Sequence, residues 1–327
     1  MKKWNALFTV LLLLFAGKCL HSFIEWAFVE AVWRPDANAC RAAAGACWGF
    51  IAEKYRFILF GTYPFEQHWR PAASVAMLVF LWIFSGIFWN RWLMIVWLAG
   101  LSAISILMWG GVFGLPYVEN GRWGGLILTL LLFTFGVALA FPLAILLALA
   151  RRDGLPVLRA LAVGYIELVR GVPLISLLFM ASVMLPLFLP AGATVDKLLR
   201  AQMALLLFAA AYLAEMVRGG LQAIPREQYE AADALGLTYW QRTLAVVLPQ
   251  ALRIAVPPLV STFIGFFKST SLVVVIGLFD FLSTVKVSLN DPKWTGFGVE
   301  AYLFAAAVYF AFCYAMSLYA RRLELRR

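Results

Sequence analysis

Charged residues are scarce along this chain of 327 residues. Only 13% of the residues are Asp, Glu, Lys or Arg and 64% are hydrophobic, whereas soluble domains average about a quarter charged and about half apolar. This composition excludes an ordinary soluble domain. Apolar runs of about 17 to 25 residues, long enough to cross a bilayer, predict instead an all-α, multi-pass membrane helical bundle.

Eight candidate transmembrane helices can be drawn on the apolar runs. The absence of charge is complete in three of them, Ala72–Asn90, Trp92–Val118 and Trp123–Ala150. In chain order, the predicted spans cover residues 4–32, 72–90, 92–118, 123–150, 161–189, 201–221, 256–279 and 299–320.

Lys and Arg residues concentrate in alternate loops, as the positive-inside rule requires of cytoplasmic loops. With both termini in the cytoplasm, the predicted cytoplasmic segments carry Lys2, Lys3, Arg91, Arg151, Arg152, Arg159, Arg218, Arg226, Arg242, Arg253, Arg321, Arg322, Arg326 and Arg327. One predicted outside loop departs from the rule, because residues 34–70 include Arg41, Lys54 and Arg56. The net charge of +10 therefore reflects topology among membrane lipids, and no basic stripe indicates a nucleic-acid partner.

Cysteine and histidine are also rare, with four and two residues. Their spacing does not match a metal site, so none is expected. Cys40 and Cys47 both fall in the first predicted outside loop, where an oxidising compartment permits a disulfide, although two free thiols are an equal alternative. The chain also lacks the G-x-x-x-x-G-K-[ST] pattern that cradles ATP phosphates, so no cofactor is expected in it.

The first apolar run allows two interpretations. Residues 1–19 could be a cleaved signal peptide, because a short apolar stretch follows two lysines. We favour an uncleaved first span, since Lys18 interrupts the small-residue cleavage site and the apolar helical pattern continues to Trp33.

A polar island, residues 225–257, interrupts the apolar second half of the chain. Its characteristic residues, in chain order, are Glu230, Ala231, Ala232, Gly236, Leu248 and Pro249. This pattern resembles the EAA motif of the permease subunits of amino-acid ATP-binding-cassette (ABC) importers. The flanking segments AYLAEMVRGGLQAIP (residues 211–225) and FFKSTSLVVVIGL (residues 266–278) resemble the same branch.

The resemblance implies a type I importer core of five helices in residues 123–320. It leaves residues 1–122 as an N-terminal extension with three helices and a periplasmic loop, and residues 321–327 as a basic cytoplasmic tail. The implied function is a permease subunit that forms half of a translocation pathway in a bacterial inner membrane. The implied partners are a second permease subunit, expected to be a paralogue in a heterodimer, two ATP-binding subunits that hold ATP and Mg²⁺, and a periplasmic amino-acid-binding protein.

Within the island, the residues predict a helix from Pro225 to Leu235 that Gly236 ends. A capping box, Thr238 with Gln241, predicts a second helix that Leu248 and Pro249 close, so that the coupling region spans residues 225–249. The resemblance implies that the first helix couples to the ATPase through Tyr229, Glu230, Ala231, Ala232, Asp233, Gly236 and Trp240. The alternative, an amphipathic helix on lipid headgroups, is disfavoured because this helix is acidic.

Ionisable residues inside spans are the remaining candidates for function. Glu167, Arg170, Glu215 and Arg218 are interpreted mainly as gate and structural salt bridges, with substrate binding as the alternative. Glu167 and Arg170 lie in YIELVRGVPL, which resembles a family stretch that usually has Thr where Val172 stands. Lys268, with Ser269 and Thr270, is a candidate ligand for an amino-acid carboxylate, or it snorkels or pairs with Glu215 or Glu167. Many relatives carry Asp in place of Ser269.

Two other classes of function are weighed against the importer. A secondary transporter of small polar solutes should show inverted repeats and paired broken helices, and neither is visible in the sequence. A multi-pass membrane enzyme should have a cluster of acid, base or metal-binding groups at one membrane face, and the two histidines offer little for it.

Overall fold

The computed structural model describes residues 2–88, 92–153, 155–190 and 194–325. These residues form helices and connecting loops with no β-strand, which confirms the all-α prediction; two isolated β-bridges join Val32 to Cys47 and Gly125 to Asp280. The helices are α1 (Lys2–Ile24), α2 (Ala37–Ala42), α3 (Trp48–Phe60), α4 (Trp69–Ile87), α5 (Leu93–Trp109), α6 (Gly125–Asp153), α7 (Pro156–Gly171), α8 (Leu174–Leu187), α9 (Lys197–Gln222), α10 (Arg226–Ala234), α11 (Tyr239–Ile276), α12 (Phe281–Ser288) and α13 (Gly298–Leu325).

The eight predicted spans correspond to helices of three kinds. Among the described residues, six helices are long and apolar enough to cross a membrane, and α5 is a shorter apolar helix. The remaining predicted span, residues 161–189, is broken, because α7 and α8 meet at an angle of 103°. Pro173 explains the break, since proline lacks an N–H donor and forces Val172 into an extended conformation.

The prediction that Leu248 and Pro249 end a separate second coupling helix is wrong. Helix α11 runs without interruption from Tyr239 to Ile276, so of the two predicted coupling helices only α10 lies apart from the spans. A π-helical turn, Arg242–Val247, precedes Pro249 and places it in the first turn of the next α-helical segment, where its missing donor costs little. The last helix also reaches Leu325, so most of the predicted basic tail continues α13, and residues 326–327 lie outside the described part of the chain.

The core is built around α9, which packs against α6, α7 and α11. Its buried face is rich in alanine, including Ala204, Ala209, Ala210, Ala211 and Ala214, and small side chains let membrane helices approach closely. Gly220 shows how close the approach is, because a Cβ there would lie 2.3 Å from the carbonyl oxygen of Ala251.

The N-terminal extension packs on this core at the end of the bundle that carries Cys40 and Cys47, hereafter the disulfide end. The two sulfurs form a disulfide, with their Cα atoms 5.4 Å apart, which decides between the two alternatives for these cysteines. Gly125 allows the backbones to meet, since a Cβ there would lie 2.3 Å from the Leu59 carbonyl oxygen. The hydroxyl of Thr284, in α12, donates to the carbonyl of Ile58 at 2.8 Å.

The basic residues that depart from the positive-inside rule have structural partners. Arg41 donates to the carbonyl of Lys293 at 2.9 Å, and the Arg56 guanidinium lies 4.5 Å from the centre of the Phe65 ring. Arg70, at the end of the same predicted loop, is fully buried and donates to the carbonyl of Pro116 at 2.9 Å. These residues hold the disulfide end together, so their charge does not indicate on which side of the membrane the loop lies.

An ionic clamp of four residues joins α3 to the loop before α13. Lys54 Nζ lies 2.6 Å from Asp291 Oδ2, and Lys293 Nζ lies 2.6 Å from Glu53 Oε2. The indole of Trp294, which is fully buried, donates to Glu53 at 2.9 Å. The clamp therefore fixes the extension to the loop of the core that precedes α13.

The clamp makes stability depend on pH. Burial opposes ionisation of Glu53, but hydrogen bonds from Lys293, Trp294 and Lys54 prevail and lower its pKa below the ordinary value of 4.5. A carboxylate with a lowered folded-state pKa stabilises the fold above its unfolded-state pKa, and this contribution disappears as the pH falls through the folded-state pKa. We expect Glu53→Gln to lower stability at pH 7 by about 1 kcal/mol.

Thermal unfolding of the detergent-purified protein between pH 7 and pH 3 checks this expectation. The midpoint of the wild type should fall more steeply below pH 4.5, the ordinary pKa of Glu53, than that of Glu53→Gln. Glu66→Gln, at an exposed position on the same end, is the control and should follow the wild type. Parallel curves for the wild type and Glu53→Gln would show that the clamp contributes nothing.

Candidate coupling helix and its charge network

Helix α10 is a short surface helix whose ends are fixed by local sequence. Pro225 precedes its first residue instead of occupying it, with φ −58° and ψ 147°. At the other end, Gly236 adopts the left-handed conformation, with φ 72°, as predicted. The N–H groups of Gly236 and Leu237 donate to the carbonyls of Asp233 and Ala232 at 2.9 and 3.2 Å, so a Schellman motif ends the helix.

The chain reverses after Gly236 and enters α11 at once. Thr238 is the N-cap residue, and its N–H donates to Gln241 Oε1 at 2.9 Å in a complete capping box. The predicted capping box is confirmed. The helix that it begins is the long α11, so α10 is attached directly to a membrane span.

The residues predicted to couple fall on two faces. Leu235, just after α10, and Trp240, at the start of α11, are 79% and 56% exposed, and Glu230 and Ala231 are also exposed. Ala232, by contrast, is buried within this chain. The exposed apolar tip is therefore the part of this region that is open to another protein.

Tyr229 anchors α10 to the rest of the chain. Two guanidinium groups lie near its ring, 4.5 Å away for Arg152 and 5.7 Å away for Arg242, and its hydroxyl accepts a hydrogen bond from Arg152. Arg242 also binds Asp233 at 2.6 Å. These contacts connect α10 to the last turn of α6 and the first turns of α11.

Glu215 is the centre of a charge network at the same end of the bundle. Its side chain is only 8% exposed, and its oxygens lie 2.6 Å from Arg151, 2.8 Å from Arg218 and 3.4 Å from Arg170. Three helices, α6, α7 and α9, therefore meet on one carboxylate. Arg218 is the partner within the same helix, as its spacing predicts, and the other two pairs cross between helices.

Glu167 occupies the rim of the network. It is 57% exposed and lies 3.1 Å from Arg151. The four candidate gate residues, Glu167, Arg170, Glu215 and Arg218, are thus brought together, with Arg151 as an additional member.

Arg151 and Arg152 are the functional candidates that the sequence analysis missed. They appear there only as positive charges of a loop. In the structure, these consecutive residues of α6 reach in two directions, Arg151 to Glu215 and Arg152 to Tyr229. Two arginines in the last turn of a span were the available signal, because charges within a span need partners.

Lys268, Ser269 and Thr270 do not present a common surface. Lys268 is exposed, whereas Thr270 is fully buried and its hydroxyl donates to the Phe267 carbonyl at 2.8 Å. The Ser269 hydroxyl donates to the Phe266 carbonyl at 2.9 Å. Of the three, Lys268 is therefore the one whose side chain is open to a bound molecule.

Comparison with known proteins assigns the family. Residues 140–327, which include the charge network and α10, match the family model described as binding-protein-dependent transport system inner membrane component. The chain belongs to this family. The matched segment begins inside α6, so the whole N-terminal extension, residues 1–122, lies outside the family model.

Relatives that match nearly the whole chain include the extension. The chain is 46% identical to the inner membrane amino-acid ABC transporter permease protein YhdY of Escherichia coli (strain K12), over 98% of this chain and 89% of the relative. It is 36% identical to the glutamate/glutamine/aspartate/asparagine transport system permease protein BztC of Rhodobacter capsulatus, over 98% of this chain and 90% of that relative. A crystal structure of an amino acid ABC transporter with histidines shares 30% identity and a TM-score of 0.55, over 62% of this chain and 92% of that one.

Proposed function

We propose that this chain is the permease subunit of an ATP-driven amino-acid importer in a bacterial inner membrane. The observation that carries the proposal is the 46% identity to an amino-acid ABC transporter permease along 98% of the chain. Residues 123–320 are the transport core in this proposal, residues 1–122 are an extension at the disulfide end, and residues 321–327 are a basic tail. The subunit forms half of the translocation pathway, and the other half comes from a second permease, a paralogue.

The partners follow from the same proposal. Two ATP-binding subunits hold ATP and Mg²⁺ and dock at the α10 end of the bundle, which lies in the cytoplasm together with both termini. A binding protein delivers the amino acid at the disulfide end. The clustering of Lys and Arg at the α10 end supports this orientation.

Helix α10 is the coupling helix in this mechanism. Its exposed tip, with Leu235 and Trp240, docks in a groove of the ATP-binding subunit, and Glu230 with Ala231 lies on the exposed side. When the ATP-binding subunits close, they displace α10 as a rigid element. Tyr229 and Asp233 anchor α10 to α6 and α11, and Gly236 fixes the turn that follows it.

The charge network converts that displacement into a change of the pathway. Tyr229 moves with α10 and contacts Arg152, whose neighbour Arg151 binds Glu215. Glu215 joins α7 and α9 through Arg170 and Arg218. A shift of α6 therefore changes how α7 and α9 are held, and Glu167 is available at the rim as a second partner for Arg151. Lys268, beside Ser269 and Thr270, remains the candidate ligand for the amino-acid carboxylate.

Purification of the intact complex from bacterial membranes tests the proposal. We expect ATP-binding subunits to co-purify with this chain, and L-amino acids presented with the binding protein to stimulate ATP hydrolysis in reconstituted vesicles. Amino-acid transport by the purified chain without ATP would support a secondary transporter instead. If the reconstituted vesicles transport none of the L-amino acids and none of them stimulates ATP hydrolysis, the importer is contradicted.

A further inference from the structure

The first membrane span stands apart from the rest of the chain. From Leu7 to Glu25 none of its residues is buried, and helix α1 makes no extensive contact with any other described helix beyond its own π-helical continuation, Glu25–Val29. The attachment lies at its far end, where the indole of Trp48 donates to the carbonyl of Ala27. Most of the span is therefore exposed to the surrounding lipid or to another subunit.

The exposed span carries ionisable groups at a depth where lipid is a poor environment for them. Lys18 lies midway between the ends of the span Leu7–Val29, about 17 Å from each at 1.5 Å per residue. His21 and Glu25 follow on the same helix face and lie 3.6 Å apart. Snorkelling serves lysines near helix ends, so a lysine at this depth requires a partner inside the membrane.

A second copy of this chain does not supply that partner. Across a two-fold axis along the membrane normal, two α1 helices would place their Lys18 ammonium groups at equal depth, where they repel. The Glu25 of a second copy would lie seven residues, about 10 Å, from the depth of Lys18. Outside the span Leu7–Val29, the carboxylates of the described spans are Glu66, Glu167, Glu215 and Glu300. Glu66 and Glu300 lie at the extreme ends of their spans, and Glu167 and Glu215 already bind arginines.

We infer that the α1 face with Lys18 and His21 docks against a transmembrane helix of an unlike subunit, which presents a carboxylate near the centre of the membrane. This inference rests on the proposed function, in which the unlike subunit is the second permease. The contact would make the extension a device for selecting a paralogue over a second copy. Charge complementarity in the membrane gives such selection, because a mismatched partner leaves Lys18 unpaired.

Site-specific photocrosslinking in bacterial membranes tests the contact in the complete complex. A photoreactive residue replaces Leu14, on the Lys18 face, or Leu20, on the opposite face and about 3 Å along the helix axis from Lys18. We expect the probe at position 14 to yield an adduct with the second permease and the probe at position 20 to yield at least tenfold less. Equal yields, or an adduct with a second copy of this chain, would overturn the inference.

Charge variants test the chemistry of the same face. Lys18→Glu should reduce co-purification of the second permease at least tenfold, whereas Lys18→Arg should retain it. Leu20→Glu is the matched control, because it adds a carboxylate two residues away on the opposite face, and it should also retain the partner. Equal losses in Lys18→Glu and Leu20→Glu would show a general insertion defect and would count against the contact, as would an N-terminus that begins near residue 18.

The outcomes separate this inference from the proposed function. Amino-acid-stimulated ATP hydrolysis together with adducts to lipid alone would overturn the docking of α1 and leave the importer standing. An adduct with the second permease, in a complex whose ATP hydrolysis amino acids do not stimulate, would support the docking of α1 and contradict the importer.

Discussion

Replacing Glu215 by alanine is expected to lower the free energy of unfolding by about 3 to 5 kcal/mol. The reason is that the variant leaves Arg151, Arg170 and Arg218 facing one another around a site where the Glu215 side chain is only 8% exposed. Removing one partner from a buried ion pair is strongly destabilising, because the remaining charges lose their compensation. Thermal unfolding of the purified protein in detergent measures the effect.

Glu167→Ala is the matched control for this experiment. Glu167 binds the same Arg151, but its side chain is 57% exposed, and exposed ion pairs contribute about 1 kcal/mol or less. If Glu167→Ala lowers the free energy of unfolding as much as Glu215→Ala does, Glu215 is not the centre of the network.

Trp240→Ala is expected to weaken binding of the ATP-binding subunit about 30-fold, which corresponds to about 2 kcal/mol for a buried aromatic hot spot. Trp240 is 56% exposed in the free chain, beside Leu235 at 79%, and it gains burial only when another protein covers the tip. Leu235→Asp should weaken binding as well, because it would place a charge in the same contact. Titration of the purified ATP-binding subunit against this chain in nanodiscs gives the dissociation constant.

Phe113→Ala controls for general loss of exposed apolar surface. Phe113 is 88% exposed in the loop between α5 and α6, at the disulfide end, away from the tip of α10. Its replacement should leave the dissociation constant unchanged. Equal weakening by Phe113→Ala and Trp240→Ala would place the ATP-binding subunit elsewhere.

The ends of α10 are predictable from sequence because their interactions are local. The Schellman motif at Gly236 and the capping box of Thr238 with Gln241 involve residues within five positions of one another, so residue types alone indicate them. The prediction for Leu248 and Pro249 failed because a proline in the first turn of a helical segment loses no hydrogen bond. Whether such a proline follows a break or a π-helical turn is decided by packing.

The charge network was predictable only in part. The pair of Glu215 with Arg218 follows from their spacing of three residues. Sequence reasoning could not identify Arg151 as the partner of Glu215, 64 positions away, or Arg152 as the partner of Tyr229, 77 positions away. Such contacts depend on how α6, α7 and α9 pack.

The most direct test of α10 as the coupling helix is substrate-stimulated ATP hydrolysis by the reconstituted complex that carries Gly236→Leu. A Cβ at Gly236 would meet no atom within 4 Å, so the substitution acts through the backbone, at a cost of about 1 to 2 kcal/mol, and redirects α10. Gly236→Asn is the control, because asparagine tolerates the left-handed conformation, and Glu230→Ala tests the exposed acidic face.

We expect Gly236→Leu and Glu230→Ala to lose most of the stimulation by amino acid while the complex remains folded and inserted, and Gly236→Asn to retain it. Full stimulation in Gly236→Leu would contradict the assignment of α10 as the coupling helix.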